Sequence, residues 1–444
     1  MKSSFAPLVF LALSLATAHA AENWPQFRGP TGDGIATAEN LPTEFNDSSN
    51  VVWRTELPGR GWSSPVTDGR SLWVTSAEEV FPTDEERIAK LKADGEEERT
   101  FKVRQVAKQI DLSVLEVDFE SGEILRKVAL RSVEAPQTIH ALNSFASPTP
   151  VLAGGKLFAH FGTFGTWCID TESGSTIWTE TIPLEHGVGP GSSPFVYENL
   201  LILICDGVDR QFVTALDTET GKEVWTTERP EMRAPKGDQK KSYNTPILVQ
   251  GSDGREQLIC MGAQWLISYA PRTGQELWRL DHGSGFSVVP RPVFSEKHQL
   301  LYISTGFGKP RLLAIRVDGE GDITNQDKIA WEEPKRIPAK PSPLLVGDHL
   351  FVISDGGVGS CFEAATGKIL WTERIDGNYS ASPLFADGKI FVANQEGMVT
   401  VFPPGDTYTP LAKNQFGASI MASPIAIGES LILRTEAALY RIAK

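Results

Sequence analysis

The side chains best suited to proton transfer, ligand binding or metal ligation fall in loops between residues 140 and 379. They are His140, Asn143, His186, Lys240, Lys241, Tyr243, Asn244, Arg311, Lys340 and Tyr379, with His160 and His282 among them. Histidine is the natural candidate for proton transfer near neutral pH. None of the histidines stands in a His-x-His or His-x-x-x-His spacing, so no metal site is expected. The sequence has no nucleophile elbow, no Walker loop and no Cys-x-x-Cys, so no catalytic residue is assigned.

Charge gives the second signal. Between residues 229 and 241, Arg229, Arg233, Lys236, Lys240 and Lys241 stand against Glu231 and Asp238, within a chain of net charge −14. Lys309, Arg311, Lys335, Arg336 and Lys340 extend this basic sector. Its expected occupant is an anionic ligand or an acidic segment of a partner protein. The plain alternative is a solvated loop in which cations cluster by chance. The acidic balance of the whole chain argues against a nucleic-acid partner.

A recurring hairpin must position these loops. Ala215-Leu216-Asp217-Thr218-Glu219-Thr220-Gly221-Lys222-Glu223-Val224-Trp225 reads as strand, tight turn and return strand, with Gly221 where the backbone turns left-handed. Gly174 and Trp178, Gly274 and Trp278, and Gly367 and Trp371 repeat its spacing, and Gly122 with Arg126 repeats it without the tryptophan. An x-Pro step opens an apolar strand at Pro65, Pro148, Pro194, Pro246, Pro292, Pro343, Pro383 and Pro424. Four antiparallel strands per repeat and eight repeats predict an all-β, eight-bladed β-propeller. The last repeat has only three strands, and Val51–Leu57 supplies the fourth, closing the ring. Trp53, Trp178, Trp225, Trp278, Trp331 and Trp371 then end equivalent outer strands and are expected to pack one blade on the next. The candidate loops share one face of this propeller, and the short Thr-Gly turns occupy the other.

Outside the repeats, residues 1–20 read as a cleavable leader: Lys2, an apolar Phe5–Leu15, then Ala18-His19-Ala20. No cysteine follows to accept a lipid and no other apolar run is long enough to span a bilayer, so a periplasmic or secreted chain is expected, working as a monomer. Residues 21–49 form an irregular, Gly- and Pro-rich arm, and residues 50–444 the propeller. A charged insertion, residues 77–108, interrupts the first repeat and permits a short amphipathic helix. It reads as a solvated excursion or as a lid. Cys168, Cys205, Cys260 and Cys361 read as small buried hydrophobes, with Cys168–Cys205 the one pair worth checking for a bond.

The repeat Ala-x-Asp-x-x-Thr-Gly-x-x-x-Trp, complete at Ala215–Trp225 and nearly so at Cys168–Trp178 and Cys361–Trp371, resembles the pyrroloquinoline quinone (PQQ)-type propeller repeat. The resemblance covers almost the whole chain after the leader. It implies one of two functions. BamB-type propellers are non-enzymatic scaffolds of outer-membrane protein assembly, and this chain is similar to them in size and repeats. Quinoprotein dehydrogenases oxidise alcohols or sugars with PQQ and calcium over the central funnel. For that alternative, the acidic and amide side chains nearest to hand are Asp206, Asn244, Asp355 and Asn378. The expectation is a binding scaffold without a cofactor, its partner an envelope protein or an anionic ligand.

Overall fold

A computed structural model describes residues 23–444; the predicted leader lies outside them. Eight sheets, each built on four antiparallel strands, follow one another along the chain, radiating as blades around a central channel. Within each blade the strands are lettered A to D from the axis outward. Blade 3 shows the pattern: Phe195–Tyr197, Leu200–Asp206, Gln211–Asp217 and Glu223–Glu228. Blade 8 takes its A to C strands from Ile425–Ile427, Ser430–Arg434 and Ala438–Ile442, and its D strand is Val51–Glu56 from the other end of the chain. Blade 4 has a fifth strand that the repeats did not announce, Gly321–Asp322, parallel to Glu276–Asp281.

B strands such as Leu200–Asp206 and Lys389–Ala393 are apolar along their middle because each serves two cores. In blade 3, Leu201, Leu203 and Cys205 pack toward blade 2, whereas Leu200, Ile202 and Ile204 pack toward blade 4. Alternate side chains of a strand point to opposite faces, and here both faces are dry. All four cysteines are buried and free, including Cys168 and Cys205 in one cluster. Burial pushes the thiols of Cys168, Cys260 and Cys361 up to about 12, so they behave as small hydrophobes.

The hairpin motif does its work between blades. Asp217 Oδ1 accepts from the N–H groups of Glu219 and Thr220, which folds the turn, and Gly221 takes φ +71°. A β-bulge follows at Ala215/Leu216, with counterparts at Cys168/Ile169, Ser268/Tyr269, Ala314/Ile315 and Cys361/Phe362. The tryptophan of one blade lies against the turn of the next. Trp178 Nε1 donates to Thr218 O (2.9 Å), Trp225 Nε1 to Pro271 O (3.2 Å) and Trp331 Nε1 to Ala364 O (3.0 Å). Trp53 Nε1 donates to Phe119 O (3.0 Å), carrying the series across the joint between blades 8 and 1. Each accepting residue stands three before the turn glycine of its blade. Trp371 Nε1 donates to Gly405 O (3.0 Å) in a turn of different sequence. Trp278 is relayed: its Nε1 donates to Gln257 Oε1, and Gln257 Nε2 donates to Val317 O of blade 5. Arg126, which replaces the tryptophan in blade 1, donates to Glu172 O and lies over Gly174.

The arm is ordered by the propeller it crosses. Trp24 exchanges two backbone hydrogen bonds with Thr67 of blade 1, and Pro25 O accepts from Leu152 N of blade 2. Arg28 then turns onto the axis at φ +67°. Its guanidinium donates to Pro343 O (2.8 Å) and Pro383 O (3.2 Å) of blades 6 and 7 and to Asp33 O. Arg291 of blade 5 donates to Phe27 O and Pro246 O. Gly34 and Ala36 exchange backbone bonds with Phe385 of blade 7, and Glu39 N donates to Gly428 O of blade 8. The arm therefore crosses the end of the channel opposite the candidate loops and ties six blades before it becomes the closing strand.

Two boundaries move. In blade 2 the proline that opens the inner strand is Pro150, because Thr149, not Ser147, bonds to the neighbouring blade at that level (Thr149 N to Ser193 Oγ, 3.0 Å). In blade 1 the B strand runs on to Val80, so the excursion is residues 81–108. It contains the helix Asp84–Ala93, started by a Thr83–Glu86 capping box, with Leu91 buried. Arg104–Gln105 pairs with Ile139–His140, and Arg104 bonds to Gly187 O and Glu96. The excursion is thus fastened beside the funnel, and none of its residues lines it.

Gly221 tests the joint between blades. A Cβ there would sit 2.7 Å from the Trp178 ring in a left-handed backbone, whereas Gly154, also left-handed, has open space. Gly221→Ala is expected to cost about 2–4 kcal/mol and Gly154→Ala about 1 kcal/mol in urea unfolding. Equal losses would refute the packing role.

Candidate functional site

The inner ends of the blades bound a funnel of about 720 Å³ that opens on the face of the variable loops. Its size suits a small-molecule site. Two rings of residues surround it, one residue per blade in each, and all but Arg291 line it. The deeper ring is set by the residue before each strand-opening proline: Ser64, Thr149, Ser193, Thr245, Arg291, Ser342, Ser382 and Ser423. Seven of the eight carry hydroxyls. A backbone N–H can donate to the hydroxyl of the next blade, and six do so. The bonds run from Ser64 N to Thr149 Oγ1 (2.9 Å), Thr149 N to Ser193 Oγ (3.0 Å) and Ser193 N to Thr245 Oγ1 (3.3 Å). They resume from Ser342 N to Ser382 Oγ (3.0 Å) and Ser382 N to Ser423 Oγ (2.9 Å). Arg291 replaces the hydroxyl in blade 5, and its N–H still donates to Ser342 Oγ (2.9 Å). This belt explains the Ser/Thr-Pro step: proline has no N–H to spend inside the strand, and the residue before it supplies both donor and acceptor.

The second ring lies two residues earlier in each blade and is varied: Trp62, Ser147, Gly191, Tyr243, Val289, Lys340, Ser380 and Met421. Above it the mouth is formed by His140, Leu142, Asn143, Val188, Phe286 and Phe307, with Lys236, Asp238 and Lys241 on one side. Below the hydroxyl belt lie Arg28 and Arg291. Burial drives their guanidinium groups down from the usual range, to about 10 and about 9. The nearest carboxylate to both is Asp33, whose Oδ1 is occupied by Thr31 and Ile35.

The structure brings His140, Asn143, Lys241, Tyr243 and Lys340 together around the funnel and places the other candidates elsewhere. Asn143 is bound into the rim, donating to Val188 O and Pro190 O and accepting from Ser147. Lys241 is buried and donates to Asp238. Lys240 has no place in the funnel wall. Tyr243 turns its ring to the funnel and its hydroxyl to His186 O (2.9 Å). His186 itself is buried, its Nε2 accepting from Thr163 N. Asn244 is fully buried and holds Pro290 O and Met261 N. Arg311 reaches Glu332 and His282 O. Tyr379 is fully buried in the cluster between blades 6 and 7.

The basic sector shrinks for a physical reason: half of its ten cations meet carboxylates. Arg229 is buried against Asp206, Arg233 meets Asp281, Arg311 meets Glu332, and Lys340 lies 3.6 Å from Asp355. In the buried pair, desolvation works against Arg229's charge, and the Asp206 carboxylate outweighs it. The acidic and amide side chains named for a dehydrogenase do not converge on the funnel. Asp206 and Asn244 are committed as above, Asp355 accepts from Ala339 N and Lys340 N, and Asn378 bonds to Glu396. Among the described residues no cluster of three or more His, Cys, Asp or Glu is placed to hold a metal. Calcium takes an oxygen cage rich in carboxylates. The carboxylate lining the funnel, Asp238, is engaged by Lys241 among lysines, so this lining does not fit calcium.

Sequence reasoning missed Trp62, Ser64, Phe286, Phe307, Met421 and the axial Arg28. For the two rings a signal was present, namely the residue before each strand-opening proline and the one two earlier. For Phe286 and Phe307 the only cue was an aromatic in a loop.

The profile of the family described as "Outer membrane protein assembly factor BamB" matches residues 111–330 and 262–406. Quinohemoprotein alcohol dehydrogenase ADH IIB of Pseudomonas putida is 24% identical over 246 residues, 47% of this chain and 32% of that protein. Outer membrane protein assembly factor BamB of Shewanella oneidensis is 22% identical over 258 residues, 51% of this chain and 56% of that protein. The chain thus spans about half of one relative and a third of the other. Among solved structures, BamB from Moraxella catarrhalis superposes with a TM-score of 0.51 at 13% identity, covering 76% of this chain and 93% of that one. A europium-containing methanol dehydrogenase gives 0.52 at 11% identity, covering 96% and 98%. At these identities the structures speak to fold alone.

Two outcomes follow from the site's construction. Ser382 Oγ accepts a buried N–H, whereas Ser64 Oγ has no partner. Ser382→Ala is expected to cost about 1–2 kcal/mol and Ser64→Ala almost nothing, read by urea unfolding. The second concerns acid. Burial holds His160 down to about 3 and His186 and His282 down to about 4. Their neutral forms are favoured by folding, so this stability is complete above the unfolded value of about 6.5 and falls as pH drops toward 4. NMR titration should find all three imidazoles neutral at about pH 5.5. Protonation near the ordinary value would show that they are not buried as described.

Proposed function

The chain belongs to the BamB family, and on that premise we propose that it is a non-catalytic binding scaffold of the cell envelope, its partner docking on the face where the funnel opens. The observation that carries this reading is apolar exposure on that face. Phe81 is 58% exposed, Leu142 50% and Phe307 37%, around a mouth where Lys241 is paired with Asp238 and Asn143 with Ser147. Large exposed apolar side chains with a polar rim mark contact surfaces. Phe81 and Ala141 border one surface hollow of about 370 Å³, and Leu142 and Phe307 border the funnel, so the patch runs from the insertion to the axis. The opposite face is occupied by the arm and by turns engaged with neighbouring tryptophans. Export to the periplasm is part of the proposal, supported by the leader-like residues 1–20; among the described residues no helix is long and apolar enough to cross a membrane.

A second reading, an alcohol or sugar dehydrogenase using PQQ and calcium, draws on the likeness to the quinohemoprotein alcohol dehydrogenase. The lysine-lined funnel disfavours the metal half of that cofactor pair.

Photo-crosslinkers placed at Phe81, Leu142 and Phe307 in living cells should capture a discrete envelope protein. The same crosslinker at Ile369, on an outer strand, should not. Capture from Ile369 alone would move the partner elsewhere. Reduction of an artificial dye by the purified protein with PQQ, Ca²⁺ and an alcohol would replace the scaffold by the enzyme.

A further inference from the structure

The excursion of residues 81–108 balances almost all of its own charge. It holds seven cations and seven carboxylates. Six of each pair off: Arg87 with Asp84, Lys90 with Asp94, Lys92 with Glu98, Arg99 with Glu97, Arg104 with Glu96 and Lys108 with Glu86. Among the described residues, Lys102 is left without a carboxylate and Glu85 without a cation. Lys102 is exposed and lines the surface hollow beside the funnel, and Glu85 does not. The same hollow is bordered by Phe81, the most exposed large apolar side chain among the described residues.

The hollow is open to water over about 370 Å³. Phe81, Pro82, Val106 and Ala141 give it apolar walls, and three cations stand there against one carboxylate, Asp84. That local excess of positive charge lies on a chain of net charge −14. The walls are held in place. Arg87 Nη1 donates to Phe101 O (2.8 Å), Lys108 N to Val80 O (2.7 Å) and Ala141 N to Val103 O (2.9 Å). A hollow already formed spends little on ordering when it is filled. Exposed apolar surface leads out of it through Leu142, 50% exposed, toward the funnel mouth. The occupant must therefore bring a carboxylate for Lys102, an apolar group for Phe81, and enough length to follow the patch. A stretch of polypeptide meets all three demands.

We propose that this hollow docks an extended acidic segment of a partner protein, with an apolar side chain packed on Phe81 and Pro82 and a neighbouring carboxylate paired with Lys102. The proposal rests on the reading of this face as a protein-docking face and gives the partner a chemistry. It places the charge-selective contact on the excursion, outside the repeats and outside the funnel.

The test is fluorescence anisotropy of the protein with a labelled peptide Gly-Asp-Phe-Asp-Phe-Asp-Gly. Two controls replace its aspartates by asparagine or its phenylalanines by alanine. The acidic aromatic peptide should bind with a Kd below about 200 μM, and each control at least about fivefold more weakly. Added salt should weaken the peptide. Lys102→Glu should weaken it about tenfold and Phe81→Ala several-fold. Both side chains are exposed, so neither change should move the urea midpoint. Glu85→Gln should leave affinity unchanged. A peptide with lysine in place of aspartate should prefer the Lys102→Glu protein. No saturable binding up to about 1 mM, equal affinity for the asparagine peptide, or indifference to Lys102→Glu and Phe81→Ala would each overturn the proposal. Dimerisation abolished by Lys102→Glu, in place of peptide binding, would assign the hollow to a second copy of this chain and overturn it too. Crosslinking in cells from Leu142 and Phe307 separates the two readings. Capture there without peptide binding removes only this inference, and peptide binding without capture removes the scaffold reading.

Discussion

The propeller depends on one contact repeated around its rim: an indole N–H from one blade donating to a carbonyl in the turn of the next. A blade alone is a four-stranded sheet with two apolar faces, and neither can be buried except against another blade. Apolar burial holds blades together without fixing how far one slides on the next. The tryptophan supplies that register, because its flat ring meets a glycine turn and its single donor meets one carbonyl. The exceptions obey the same constraint. Gln257 relays Trp278 to Val317 where the turn of blade 5 is lengthened, and Arg126 does the tryptophan's work in blade 1.

A second belt works near the axis, where hydroxyls accept backbone N–H groups from the preceding blade. The two belts pin each blade at its inner and outer ends. Ring closure needs more, since strand order alone leaves both ends of the array open. Val51–Glu56 closes the sheet of blade 8, Trp53 closes the rim, and Arg434 reaches Ser63 O and Thr75 O of blade 1 near the axis. Where the inner belt is interrupted, chemistry enters. One interruption holds Arg291, which anchors the arm, and the other leaves Ser64 facing the funnel. The loops on the funnel face carry none of these joints, which leaves them free to vary.

Much of the fold was legible because each repeat obeys local rules. The Asp and Gly of the turn, the apolar runs of the B strands and the Ser/Thr-Pro step are short-range signals, and their repetition makes them plain. The missing strand of blade 8 could be read from the same count. Blade 2 was misplaced by two residues because Ser147-Pro148-Thr149-Pro150 offers two equivalent local signals; only a bond to the neighbouring blade chooses between them. The site was far less legible. Lys241, Asn244 and Tyr379 read as available polar groups, and each is buried by contacts from segments distant in the chain. The basic sector likewise looked unopposed until Arg233 met Asp281, 48 residues away, and Arg311 met Glu332.

The sequence by itself determined the architecture: eight blades, their strand order, the closing strand and the face on which variable loops gather. These follow from periodicity and turn chemistry, which act over a few residues. Tertiary structure alone decided which side chains are free to act. It threaded Arg28 onto the axis, paired half of the basic sector's cations and left Trp62 Nε1 and Ser64 Oγ buried without partners. Whether a polar group is satisfied depends on atoms brought within about 3 Å by the whole ring, and no local pattern encodes that distance.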